Sequence, residues 1–177
     1  MKEQAHLRHE NITLILATEM LRSFGELRSV VRGASMVPSI FPGDTLIIRP
    51  EIARGARRGD VVFFFRDGHF CAHRLLDKTE AGGGRIVLLT RGDARRENDP
   101  PVAESEMLGR VEAVIRGRKR IEFRRYPAAT NRLLQWAVER STGAVKWLLR
   151  WHFFRLRLSR NWGAICSAIR WQRLESM

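Results

Sequence analysis

The chain has 177 residues, 44% hydrophobic and 29% charged, which supports a core-forming domain with an appendage and excludes a disordered tail or a membrane-embedded bundle. Thirty-two Lys+Arg against 19 Asp+Glu give a formal charge of +13, yet only four of the basic residues are Lys (Lys2, Lys78, Lys119, Lys146), which argues against a lysine-based mechanism. Two Cys, Cys71 and Cys166, are too few for a disulfide scaffold, fit a reducing compartment and have the wrong spacing for a zinc ribbon, so neither a metal nor another cofactor is expected.

The N-terminal MKEQAHLRHE is polar and carries two Glu, unlike the basic start of a signal peptide. Residues 11–18 are apolar, but Glu19 and Arg22 stop the run. No segment reaches the roughly 18 apolar residues of a spanning helix. The expected location is cytoplasmic, with peripheral contact at the inner face of the membrane. Residues 11–30 predict an amphipathic helix with an apolar stripe of Ile12, Leu14, Ile15, Met20, Leu21 and Phe24, capped by Asn11 or Thr13 and either closed or interrupted by Gly25. Residues 1–30 form the first unit of this reading.

From 31 to 125 the pattern becomes β-type, with runs at about 45–49, 60–66, 69–76, 85–91 and 108–124. Turn signals separate them: Pro42-Gly43-Asp44, Asp67-Gly68, Gly82-Gly83-Gly84 and Asp99-Pro100-Pro101. Asp67-Gly68 between two apolar runs signals a hairpin, and Arg116–Arg120 reads as a basic turn. Residues 126–177 return to helical spacing over 130–141, 143–159 and about 162–175.

Three segments of the β-rich part carry candidate chemistry. Gly33-Ala34-Ser35-Met36-Val37-Pro38-Ser39 places a Ser in a turn that Gly33 opens to close approach and Pro38 stiffens. In Cys71-Ala72-His73-Arg74, strand alternation puts Cys71, His73 and Leu75 on one face and Ala72, Arg74 and Leu76 on the other. Leu89-Thr90-Arg91-Gly92-Asp93 is followed by Asp99. Taken singly, each has an ordinary structural role: a turn Ser, a strand His, a loop-shaping Asp. Together they supply what nucleophilic catalysis by an alcohol requires, a hydroxyl, a base to take its proton and a carboxylate to fix the base's tautomer.

In this order GASMVPS, PGD, RRGDVVFF, CAHR and LLTRGD with a later Asp resemble the boxes of signal peptidase I-like serine peptidases over roughly residues 30–113. The match is closest to the His-type branch of the endoplasmic reticulum and archaea. The other bacterial branch and the related SOS-repressor peptidases place a Lys where His73 stands, and residues 1–30 are too short for a helix-turn-helix domain. The resemblance implies a mainly β fold of short antiparallel strands, with an N-terminal helix and a C-terminal helical extension, α+β overall. It implies Ser35 as nucleophile and His73 as general base. Asp99 would orient His73 and Asp93 would hold the loop. The oxyanion would meet the Ser35 N–H with help from Gly33, within a loop shaped by Met36 and Pro38. The implied reaction is cleavage of a peptide or protein substrate after a small residue. Family members that cut secreted precursors carry a spanning anchor before the Ser box, and this sequence shows only the short helix there.

The charge is uneven. Residues 1–109 hold 16 basic and 15 acidic side chains, whereas residues 110–177 hold 16 and four, together with all five Trp. Within 143–175 Trp, Leu, Phe and Ile alternate with Arg. This predicts attachment to an anionic membrane surface, with packing on the body or a protein partner as the next reading and nucleic acid the less favoured one. An alternative function follows: a catalytically inactive family member that binds a membrane surface or nucleic acid through this tail.

Overall fold

The computed structural model describes residues 2–123. The helices expected over 130–141, 143–159 and 162–175, the extension 126–177 and Cys166 lie outside the described residues. The order is α1 (Lys2–Phe24), β1 (Leu27–Val30), β2 (Thr45–Pro50), β3 (Val61–Arg66), β4 (His69–Ala81), β5 (Arg85–Arg91), β6 (Val102–Ala103), a short 3-10 helix (Glu104–Glu106), β7 (Met107–Arg116) and β8 (Lys119–Glu122). The strands form one antiparallel sheet in the order β1-β2-β7-β3-β4-β5-β6, with β8 paired to β7. The fold is therefore mainly β with an N-terminal helix.

The expected helix over 11–30 is corrected at both ends. It begins at Lys2 and stops at Phe24, because Gly25 takes the left-handed conformation (φ 64°) and donates its N–H to the Leu21 carbonyl, closing the last turn. The four residues from Leu27 then pair with β2 as an edge strand. The apolar stripe is corrected too. Ala17 and Leu21 join the core, whereas Ile12, Ile15, Leu16, Met20 and Phe24 are exposed. The run expected at 69–76 continues to Ala81, and that at 108–124 divides into β7 and β8 around Gly117 (φ 61°).

β3 shows why the sheet holds together. Its sequence VVFFF is apolar without a break, as a strand covered on both faces must be. Val61 and Phe63 enter one core cluster, with Ala17, Leu21, Met36, Ile40, Ile48 and Val111. Val62 and Phe64 enter another, with Leu75, Ile86, Leu88 and Val102. Asp67 (φ 49°) and Gly68 (φ 75°) close the β3–β4 hairpin with positive φ at both turn positions, as a right-twisted two-residue loop demands. That hairpin sets His73 opposite Val62.

The segment between β1 and β2 is tied down from several sides. The Val31 N–H donates to the Asp44 carbonyl and the Gly43 N–H to the Val31 carbonyl. Asp44 is buried, and its carboxylate accepts the Phe41 N–H and the guanidinium of Arg116 at the end of β7. Arg116 also donates to the Ser39 carbonyl and lies 4.6 Å from the Phe41 ring centroid.

Candidate functional site

Ser35 sits in the turn that leaves β1. The side chain of the next residue, Met36, is 3% exposed and packs in the core, which fixes the turn against the sheet. Gly33 is exposed with open space around it, and Pro38 follows a cis peptide bond. His73 reaches the turn from the middle of β4. Its ring is buried, edge-on to Phe64 with the ring centroids 6.0 Å apart.

The Ser35 Oγ lies 2.9 Å from His73 Nε2, and His73 Nδ1 lies 2.6 Å from Asp99 Oδ2. A carboxylate only accepts, so Nδ1 carries the proton and Nε2 is left as the acceptor for the Ser35 hydroxyl. The three side chains thus form a hydrogen-bonded chain of alcohol, imidazole and carboxylate, the arrangement through which a hydroxyl proton can move to a ring. Among the described residues the Ser35 N–H donates to no acceptor.

Asp99 follows a loop of irregular backbone after β5. Burial pushes its carboxyl up, but hydrogen bonds from His73 and Thr90, with the charges of His73 and Arg95, bring it below the ordinary carboxylate range. Arg66, at the end of β3, fixes the chain just beyond it. Its guanidinium forks onto Glu106 at 2.7 and 2.6 Å and donates to the carbonyls of Pro100 and Pro101 at 2.8 and 2.7 Å.

Asp93 lies on the other side of β4. It accepts a bidentate pair from Arg74, with Nε and Nη2 each 2.7 Å from a carboxylate oxygen, and the Ser39 hydroxyl at 2.5 Å. Arg74 also donates to the Gly59 carbonyl. Alternation along β4 therefore sends two neighbouring residues to two different carboxylates, His73 to Asp99 and Arg74 to Asp93. The first contact lies in the proton relay; the second joins β4, the Ser35–Ser39 turn and the 92–94 loop. The Ala94 N–H completes that joint by donating to the Ser35 carbonyl at 2.8 Å.

Sequence reasoning gives no site role to Ser39, Thr90 or Arg66, places Arg116 only in a basic turn and gives Arg74 only a face of its strand. The signal for Arg74 was its charge in a run that the fold buries, since a buried guanidinium requires a carboxylate. Cys71 shares a face with His73, but burial, and after it the charge of Asp99, push its thiol up, away from the thiolate a nucleophile needs.

Residues 6–111 match the Peptidase S24-like family, more than half of the chain. The protein belongs to this family. Ser35, His73, Asp93 and Asp99 all fall inside the matched region, and residues 112–177 fall outside it. Membership supports the superfamily shared with signal peptidase I and points to hydrolysis of the serine-peptidase type. No curated protein matches the chain. Among the described residues no helix is long and apolar enough to cross a membrane.

Proposed function

We propose that the protein is a serine endopeptidase of the His-type, signal peptidase-like kind, cleaving a peptide or protein precursor after a small residue. The observation that carries this reading is the His73 ring held between Ser35 Oγ at 2.9 Å and Asp99 at 2.6 Å. The Ser35 hydroxyl gives its proton to His73 Nε2 as Oγ attacks the scissile carbonyl carbon. The charge on the carbonyl oxygen meets the Ser35 N–H. When the tetrahedral species collapses, the C–N bond breaks, His73 returns the proton to the departing amine and the acyl group stays on Ser35. Water, deprotonated by His73, then releases the acid and restores the hydroxyl. Asp99 keeps Nδ1 protonated throughout and stabilises the imidazolium. General-base assistance of this kind contributes about 10²–10⁴ in rate.

The preference for a small residue and the His-type assignment rest on the resemblance of the Ser, His and Asp boxes. The test is labelling with a fluorophosphonate, which phosphonylates activated serines as fluoride leaves. The wild-type chain is expected to label at Ser35, and Ser35→Ala and His73→Ala to lose the label while remaining folded. A wild-type chain that never labels, or a Ser35→Ala chain that labels equally, overturns the reading. The uncleaved species that accumulates in a Ser35→Ala strain identifies the substrate.

We also read residues 143–175 as an attachment to anionic membrane in preference to nucleic acid. The exposed Ile12, Ile15, Leu16 and Met20 on α1 support a surface-bound protein, because a row of large apolar side chains left in water favours an apolar neighbour. Sedimentation with vesicles of phosphatidylglycerol is expected to pull the protein down and to weaken with salt. Equal binding to purely zwitterionic vesicles would rule out the electrostatic part of this reading.

A further inference from the structure

Asp99 poses a geometric problem. It ends an irregular stretch after β5, yet its carboxylate must face one nitrogen of a ring fixed on β4. Backbone without a ladder does not hold a side chain to a fraction of an ångström, so something else sets its aim. Thr90 is fully buried near the end of β5. Its hydroxyl lies 2.8 Å from Asp99 Oδ2, the same oxygen that accepts His73 Nδ1–H. Its carbonyl accepts the Asp99 N–H, also at 2.8 Å. Thr90 therefore grips Asp99 twice, once by main chain and once by side chain, across the whole loop. Thr90 is itself held by the ladder, opposite Leu75.

We propose that Thr90 is a positioning residue for the Ser35–His73–Asp99 relay: its hydroxyl fixes the rotation of the Asp99 carboxylate so that Oδ2 stays on His73 Nδ1. The inference rests on the reading of that relay as the peptidase site. A hydroxyl donor has no substitute here. Val keeps the shape of Thr90 without the donor, so the carboxylate gains freedom to rotate about its last torsion. Ser keeps the donor and loses only a methyl group. Arg66 holds Pro100 and Pro101 in every variant, so the loop itself stays in place and the effect is confined to the carboxylate.

The experiment compares the full chain with Thr90→Val and Thr90→Ser, using two readouts. The first is the proton NMR resonance of His73 Nδ1–H, strongly downfield in a short hydrogen bond to a carboxylate and independent of any catalytic turnover. The second is fluorophosphonate labelling, separated into the binding constant and the limiting phosphonylation rate. We expect Thr90→Val to broaden or lose the resonance and to lower the limiting rate about 10- to 100-fold with binding unchanged. Thr90→Ser is expected to restore both. If Thr90→Val fails to fold, Thr90→Ala against Thr90→Ser carries the same comparison, since both lack the methyl group and only one keeps the hydroxyl. A Thr90→Val chain with the wild-type resonance and the wild-type phosphonylation rate overturns the inference and leaves the peptidase reading standing. Loss of the resonance in a protein whose wild-type form never labels supports the positioning role and overturns the peptidase reading instead.

Discussion

Gly92 lies flat against the main chain of Ser35. A Cβ at position 92 would stand 2.6 Å from the Ser35 carbonyl oxygen and 3.0 Å from its Cβ. The glycine is therefore required by closeness, and the atoms it would strike belong to the proposed nucleophile. Gly92→Ala is expected to cost about 1–3 kcal/mol through overpacking and to slow fluorophosphonate labelling about 10²-fold by displacing Ser35. Gly33 is the contrast, with open space where its Cβ would stand. Gly33→Ala is expected to leave stability within about 0.5 kcal/mol in urea unfolding. Equal stability losses in the two variants would contradict this account.

The two carboxylates beside β4 separate into different kinds of damage. Asp93→Asn takes the charge from a pair whose Arg74 side chain is 3% exposed, and is expected to cost about 3–5 kcal/mol in denaturant unfolding. Asp99→Asn changes the preferred tautomer of His73 and is expected to slow labelling by about 10³–10⁴ with a far smaller stability loss. The reverse pattern would exchange the roles assigned to the two residues.

Acidification acts through carboxyls whose folded values lie below their unfolded ones. Asp99 is pushed up by burial, and the hydrogen bonds of His73 and Thr90 with the charges of His73 and Arg95 more than offset this; Glu106 is held down chiefly by its hydrogen bond to Arg66. A depressed carboxyl stabilises the fold above its unfolded value, and that contribution fades as pH falls through the depressed one. Stability is therefore expected to be level from about pH 7 to about pH 5 and to decline below about pH 4. Asp99→Asn should flatten part of that decline, as measured by urea midpoints across the range. An unchanged slope in the variant would remove Asp99 from the acid response.

Arg116 is a structural tie with no place in the proton relay. Its guanidinium faces Asp44, whose side chain is 2% exposed. Arg116→Met leaves that carboxylate buried with only the Phe41 N–H, at an expected cost of about 3 kcal/mol. Arg116→Lys should recover a minority of the loss, because an ammonium cannot fork onto Asp44 and also reach the Ser39 carbonyl. Denaturant midpoints of the two variants check the order.

Much of the fold was legible because its signals are local. The apolar runs of β3 and β5, the Asp67-Gly68 turn and the Ser, His and Asp boxes are properties of short stretches. β1 was not legible: LRSV is four residues long, half charged or polar, and continuous with a helical pattern, so only its pairing with β2 reveals it. β6 has two residues and no pattern of its own. At the site, the order of Ser35, His73 and Asp99 could be read, but the supports could not. Thr90 to Asp99, Arg74 to Asp93 and Arg66 to Pro100 are contacts made by folding across loops. A Thr or an Arg in a strand carries no mark of which carboxylate it will meet.

The position of β7 has a consequence for timing. Among the described residues it is the last strand but one in sequence, yet it lies between β2 and β3 and joins the two halves of the sheet. The Ser35 turn belongs to one half and His73 to the other, and Arg116, at the far end of β7, secures the Ser39 carbonyl. A growing chain on the ribosome thus carries its serine and its histidine long before it has the strand that brings them together. Loop closure of this span must precede any contact that rewards it. On this topology the contact between Ser35, His73 and Asp99 is completed only after residues through Arg116 have emerged.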